Sequence, residues 1–580
     1  LPYRLLPRLI PFLEETDGGR FIRTYGADAA TQERWQALIA VDTPLEIPPH
    51  SQVHIGLDVG TLTTAYPVFR VKGGAGAEIK LTYGEAQWRE GKKGHRDDLT
   101  WGTLDGVSDI YFPGGGVETW EPFLWRSFRL VEVDIVTGEE PLTIESLTHR
   151  FTAYPFKLRG SFECSDPVLN RMWEVSWRTA RLCAHETYED CPTYEQLQYS
   201  GDAQVQTLIS YIAAGDARLA RQALRHFNWS RNFEGITASR YPSRVPQIIP
   251  FWSLYWIMMV HDYYWFTGDV EEIKKHLDGV ASVLRWFEGL IGPSGLVEKV
   301  PYWCVADWSP DWKDPKWGPG VPPGIKEGPS ALVNFIFAYC LDIATALNLM
   351  AGREHIIPTY RAQASRIRRR ANEVFWSEKE GLYFDRPGGP EVSQLTNAWA
   401  IVCGGAELWQ QNRILRRLTD DPSLCRAALF GLFYVFRALS KAGAYDRVFD
   451  LLAPWRRMLD MGLTTWAETL DPETTRSDCH GWSCAPMYEF ATKILGVQPV
   501  APGFSSVLIR PFLGYLTWAR GSVPTPDGEI RVDWRLEANR IVLEGEVPVG
   551  TPVVVDLPGG ERAKFSGGPF RVQAMIPAKR

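Results

Sequence analysis

The run Glu186-Thr187-Tyr188-Glu189-Asp190-Cys191-Pro192-Thr193-Tyr194-Glu195-Gln196-Leu197-Gln198-Tyr199-Ser200-Gly201-Asp202 joins two segments of helical periodicity. Apolar residues recur at helical spacing over 166–184 before it and over 202–214 after it. The run holds five carboxylates, several aromatic rings and a proline, a heavier load than a helix–helix connection ordinarily carries. On residue chemistry alone it also fits a solvated acidic loop, with Asp202 as N-cap of the following helix.

The helical texture continues outward. Similar periodicity covers 216–230, 252–267, 269–290, 329–350, 357–375, 391–401, 408–417, 425–440, 443–458 and 481–495. Asp166-Pro167 sets an acceptor before a proline at the first helical position. Gly215-Asp216 and Gly268-Asp269 each end one helix and cap the next. About twelve helices in sequential pairs predict a six-hairpin (α/α)6 toroid over 159–497. Residues 1–158 read instead as strands, with Gly and Pro clusters at Gly73–Gly76 and Pro113–Gly116, predicting a β-sandwich or jelly roll. Strand texture returns over 498–580, with Asp527-Gly528 as a hairpin turn, predicting a small C-terminal β-sandwich. Between two helical segments, the almost structureless Ile291–Pro329 stretch carries Tyr302, Trp303, Asp307, Trp308, Trp312 and Trp317. A loop of that length inside a compact domain is a functional candidate.

Composition narrows the function classes. The 580 residues hold 62 Lys plus Arg against 69 Asp plus Glu, with no basic stripe, which argues against a nucleic-acid surface. No run of about 18 uncharged apolar residues predicts a membrane span. Nine scattered cysteines without a CxxC pair or HExxH favour a reducing, cytoplasmic interior and no structural zinc. The sequence opens at Leu1 with no Met and no leader-like pattern, which predicts a trimmed or processed chain. Homo-oligomerisation stays open. The aromatic share, 13%, is the anomaly: Trp and Tyr pair a flat apolar body with a polar edge, which suits the C–H faces and polar rims of sugars, though most such rings are core.

Four motifs then fall in order over residues 186–482. Asp190-Cys191-Pro192, Glu195 and Gly201-Asp202 resemble the Asp-Cys-Pro run of glycoside hydrolase family 78, the α-L-rhamnosidases, one residue shorter overall. Gly462-Leu463-Thr464-Thr465-Trp466-Ala467-Glu468 looks like that family's Thr-Thr-x-Trp-Glu segment, with the Trp one place early. Ser477-Asp478-Cys479-His480-Gly481-Trp482 resembles its Ser-x-x-His segment, and Asp307-Trp308 its Asp-Trp loop. The chain departs from the family where Tyr194 and Gln196 replace the usual basic residues, and where Tyr199 stands near the place of a Trp.

The resemblance implies a metal- and cofactor-independent, exo-acting, inverting glycosidase that releases terminal α-L-rhamnose from glycosides or oligosaccharides. Inversion needs an acid on the leaving oxygen and a base holding a water opposite, their carboxyls about 6.5–9.5 Å apart. By motif position Glu195 is the acid and Glu468 the base. Asp190, Asp202 and Asp307 then bind the sugar, and the charges of Asp190 and Asp202 would hold the Glu195 proton by raising its pKa. Tyr199, Trp308 and Trp466 would pack on the sugar face. His480 is a sugar partner, an orienter of Glu468, or a satisfied helix-start histidine. The alternatives are another α/α-toroid exo-glycosidase, for example one for α-L-fucose, and an inactive sugar-binding relative. Two further patterns are read as decoys: the kinase-like Ile55–Thr64 run as strand and turn, and the sequon Asn228-Trp229-Ser230 as part of a helix.

Overall fold

The computed structural model describes residues 7–576, so Leu1 lies outside the described residues. Three textures appear in the expected order: sheet, helices, sheet. The first sheet has nine strands and is organised by one long strand, Gln52–Gly73. Its first part pairs with Arg126–Val136 and its second with Leu142–Ala153, so alternate side chains such as Ile55, Leu57, Phe69 and Val71 enter one core. The Ile55–Thr64 run lies inside this strand, not at a phosphate loop.

One element here was not expected. Ala29–Val41 is a helix, capped by the Asp28 side chain on the Thr31 N–H, and it lays Trp35, Leu38 and Ile39 on the sheet. Its apolar stripe is that single i, i+3, i+4 set, too short to stand out among strands.

The helical part follows the sequence closely. The first helix, Pro167–Leu182, starts on the Asp166 carboxylate, which accepts from the Val168 N–H. Gly215 and Gly268 close their helices with φ of 65° and 76°. The helix after the acidic loop begins at Ser200, so Asp202 lies in its first turn and Tyr199 occupies the cap position. The 269–290 segment divides into Val270–Lys274 and Leu277–Glu288. Asn228 and Trp229 close a helix, and the Asn228 amide donates to the Lys275 carbonyl. Helix Ala331–Met350 has the length and apolar composition of a membrane span although it carries Asp342, and 78% of its apolar window is buried within the protein.

Two sheets complete the chain. Trp518–Thr525, Gly528–Glu537, Arg540–Val547 and Gly568–Met575 form one, with Ser161–Cys164 added at its edge. Val497–Ala501, Ser506–Ile509, Val553–Asp556 and Arg562–Phe565 form the other. The strand just before the first long helix thus belongs to the last sheet. One continuous core joins these sheets to the helices; Trp534 lies in it and donates to the Ile494 carbonyl at 2.9 Å. Trp256, Trp399 and Trp455 are fully buried, as are Tyr255 and Tyr434, so most of the aromatic excess is core.

Candidate active site

The five acids of the 186–202 loop part company in space. Glu186 is at the surface and pairs with Arg8 at 2.8 Å. Glu189 is buried against His185 at 3.1 Å. Asp190, Glu195 and Asp202 turn into a cavity of about 440 Å3. The loop is held by its own backbone: the Asp190 N–H donates to the Leu197 carbonyl, and the Leu197 N–H returns to Asp190 Oδ1 at 3.0 Å. Gln196 takes a left-handed φ of 54° to close this turn and donates to the Pro192 carbonyl.

The second wall is the 466–482 stretch. The Gly481 N–H donates to the Asp190 carbonyl at 2.8 Å, locking the two loops together. A Cβ at Gly481 would stand 2.1 Å from Gln206 Nε2, so any larger residue must displace that amide from the Cys183 and Glu189 carbonyls it bonds. Glu468 faces the cavity and accepts from the Trp308 indole at 3.1 Å. Arg476, absent from the sequence reading, stands between the two glutamates. Its Nη2 lies 2.6 Å from Glu195 Oε1 and its Nε 3.9 Å from Glu468 Oε2.

The β part contributes to both loops from behind. Glu85 accepts from Thr193 Oγ1 and from the Asp478 N–H, each at 2.6 Å. Lys93 reaches Asp478 at 3.0 Å and the Arg476 carbonyl at 2.8 Å, while Arg96 chelates Asp478 through two nitrogens. All four charged groups are buried.

Charge decides how these groups behave. Burial pushes Asp190 up to about 7, helped by Asp202 and Glu195 and opposed by His480. Burial also raises Asp202, against the hydrogen bond from His480 at 3.1 Å. Burial lowers His480, but Asp202 together with the charges of Glu468 and Asp190 carries it up to about 9. Glu195 corrects the sequence reading. Burial raises it, yet the hydrogen bonds from Arg476 and from Tyr199 (2.8 Å) outweigh burial, so its pKa is lowered.

The family model for the bacterial alpha-L-rhamnosidase 6 hairpin glycosidase domain matches residues 157–494. The chain belongs to this bacterial α-L-rhamnosidase family, glycoside hydrolase family 78. The α-L-rhamnosidase C-terminal domain matches 496–568. An α-L-rhamnosidase of Formosa agariphila is 23% identical over 488 residues, 78% of this chain and 50% of that protein. A family 78 rhamnosidase from Bacillus sp. GL1, known from its crystal structure, is 28% identical with a TM-score of 0.82, covering 91% of this chain and 56% of that one. The Streptomyces avermitilis α-L-rhamnosidase, solved with L-rhamnose, shares the fold at 20% identity and a TM-score of 0.71, covering 92% of this chain and 53% of that one. This family 78 chain spans about half the length of the curated relatives it matches.

Of the residues singled out in the sequence, Asp190, Glu195, Tyr199, Asp202, Asp307, Trp308, Glu468 and His480 line the one cavity. Trp466 does not: it is fully buried and its indole donates to Ser176 Oγ at 2.8 Å, so it is core and not a sugar platform. Asp307 lines the wall, but both its oxygens take backbone N–H groups, from Ala428 at 2.6 Å and Gly431 at 3.1 Å. It anchors its loop, and burial pushes it up to about 7. Gly431 permits this approach, since a Cβ would stand 2.3 Å from Asp307 Oδ2. Tyr199 offers its hydroxyl to Glu195 and accepts from Arg240 at 2.9 Å.

The sequence reading missed Arg240 and Trp252 in the wall, besides Arg476 beside it, and gave no role to Trp303 and Trp482, which it had quoted and which also line the cavity. Trp252 stands two residues after the Pro250 that opens its helix, and no motif marks it. A metal centre finds a poor fit. Asp190, Cys191 and His480 bring their ligand atoms within 4.8 Å of one another. However, burial pushes the Cys191 thiol well above its usual range, it donates to Asp190 at 3.2 Å, and His480 Nε2 is engaged by Asp202. A thiolate ligand is therefore disfavoured. A larger cleft of about 720 Å3 lies at the Ser161–Cys164 strand, where Arg520 pairs with Glu163, and Arg531 with Glu546 at its rim.

Proposed function

We propose that this chain is an exo-acting, inverting α-L-rhamnosidase, with Glu195 as general acid and Glu468 as general base. The carrying observation is Arg476, whose single guanidinium touches both carboxylates in one cavity. Two acids bridged by one guanidinium are near enough to flank a single sugar, and inversion requires such a pair about 6.5–9.5 Å apart with a water between. Glu468 draws a proton from that water as the water attacks the anomeric carbon. Glu195 delivers its proton to the glycosidic oxygen, and the bond to the leaving alcohol breaks. The sugar leaves with inverted configuration, and solvent returns the proton from Glu468 to Glu195.

Glu195 must be protonated when the bond breaks, whereas Arg476 favours its ionised form in the open cavity. In this reading the glycoside separates Arg476 from Glu195, burial takes over, and the carboxyl gains its proton. The charged His480, paired with Asp202, donates toward sugar hydroxyls beside Asp190. Trp308 fixes Glu468 through its indole N–H and presents its ring to the cavity. The substrate is a rhamnose-containing glycoside or oligosaccharide. The same reading closes the helical hairpins as an (α/α)6 toroid over 159–497, between β-sandwich units at 1–158 and 498–580.

The test is hydrolysis of p-nitrophenyl α-L-rhamnoside beside the α-L-fucoside, with the anomer of the first product read by NMR. The expected product is the β anomer. Glu195→Gln and Glu468→Gln should each lower turnover about 10²–10⁴-fold with the fold intact. Retention of configuration, or full turnover in both variants, would reject the assignment.

A further inference from the structure

We propose that a second cavity, remote from the glutamates, binds a ligand through an oxyanion (carboxylate, sulfate or phosphate) held by Arg437. This cavity, about 460 Å3, lies where the helices meet the C-terminal sheets. Its size is that of a small-molecule site, which runs about 300–1,000 Å3. Its wall carries Arg437, Lys441, Lys493 and Arg510 and no Asp or Glu.

Three of these cations already have partners. Lys441 donates to the Val402 carbonyl at 2.7 Å, Lys493 to Gln498 Oε1 at 3.1 Å, and Arg510 pairs with Asp556. Arg437 differs. Among the described residues no carboxylate or carbonyl accepts from its guanidinium; it lies against rings instead, 4.4 Å from the centroid of Phe433 and 5.8 Å from that of Tyr488. Two acids feel its charge without bonding it: Asp262 gives one oxygen to Gln204 at 2.8 Å and has the other 3.3 Å from His261, and the buried Glu489 also feels the charge of Lys493. A guanidinium presents five donors in a planar fork matched to oxyanions. Aromatic faces stabilise its charge and leave those edge donors unused.

Offsetting a helix dipole does not explain the cluster. Lys441 ends helix Leu429–Lys441, but Arg437 sits a turn earlier over rings, and Lys493 and Arg510 come from other elements. The Ala428 and Gly431 amides at the other end of that helix hold Asp307 in the first cavity. By helix rise Arg437 stands about 9–14 Å along that helix from the Gly431 and Ala428 amides, and the two cavities share no lining residue.

The experiment titrates the full chain calorimetrically with inorganic phosphate, sulfate and D-glucuronate, at ionic strength fixed with sodium chloride. At least one should bind saturably at one per chain, and the strongest of the three names the source of the oxyanion. Arg437→Gln should weaken that binding about tenfold or more, the cost of a lost charged hydrogen bond. Lys441→Gln, at an exposed position and keeping a side-chain donor for the Val402 carbonyl, should weaken it severalfold and decides the matter if Arg437→Gln does not fold. Absence of saturable binding for all three anions, or unchanged affinity in the folded variants, overturns the proposal.

Discussion

Lys93 is the sharpest point at which to test the link between the β part and the active-site loops. Its ammonium is buried between Asp478 at 3.0 Å and Glu85 at 3.6 Å. Replacing it by Met keeps most of the volume and removes the charge. Asp478 keeps Arg96, but Glu85 is left buried with no cation, and the Arg476 carbonyl loses its donor. Breaking a buried pair by removing one partner costs about 3–5 kcal/mol. For a unit of 150–250 residues each kcal/mol is worth about 2–4 °C, so the melting temperature should fall by roughly 6–20 °C. Protonation of Glu85, whose pKa burial already raises, caps the loss at the lower figures. Differential scanning calorimetry measures the fall, and a cycle with Glu85→Gln should return a coupling of about 0.5–3 kcal/mol. A Lys93→Met protein melting within a degree or two of its parent, with additive double-variant behaviour, would refute the claim that this buried pair holds the loops.

Two other outcomes follow from the charges. Arg476→Met removes the hydrogen bond that lowers Glu195, so the limb of the kcat/KM profile set by Glu195 should move to higher pH; a limb that stays put would separate Arg476 from the acid. His480 stands at about 9 in the folded chain against an ordinary 6.5. Its stabilisation is therefore complete below about pH 6.5 and is lost as pH rises through 9, a change of up to about 3 kcal/mol. Urea unfolding between pH 7 and 9.5 should show the parent losing stability faster than His480→Asn; parallel curves would count against the His480–Asp202 pair.

Much of this was readable because the informative features are local. The caps at Asp166, Gly215 and Gly268 depend on neighbours in the chain, and the structure has them in place. Within the 190–202 loop, close spacing sets Asp190, Glu195 and Asp202 on one cavity, and the motifs around Asp307 and Glu468 supply acids that the fold brings to it from far along the chain. What failed depends on distant chain. The sequence cannot say which ring of a motif turns inward, and Trp466 turned to Ser176. It counted Asp190 and Asp202 as the neighbours of Glu195 and expected a raised pKa, but the deciding neighbour, Arg476, is 281 positions away. Helix Ala29–Val41 was hidden because one short apolar set is a weak periodic signal.

The two tyrosines that break the family pattern each stand beside an arginine from elsewhere. Arg476 lies over the Tyr194 ring at 5.3 Å, and Arg240 over Tyr199 at 5.8 Å. The positive charge thus sits beside the acid although it has left the motif. Evolution in this branch should then act on couples: where a homologue regains a basic side chain at 194, the arginine at 476 becomes redundant and free to drift. Grafting either half alone into a sister enzyme should leave the acid with two guanidinium groups or with none.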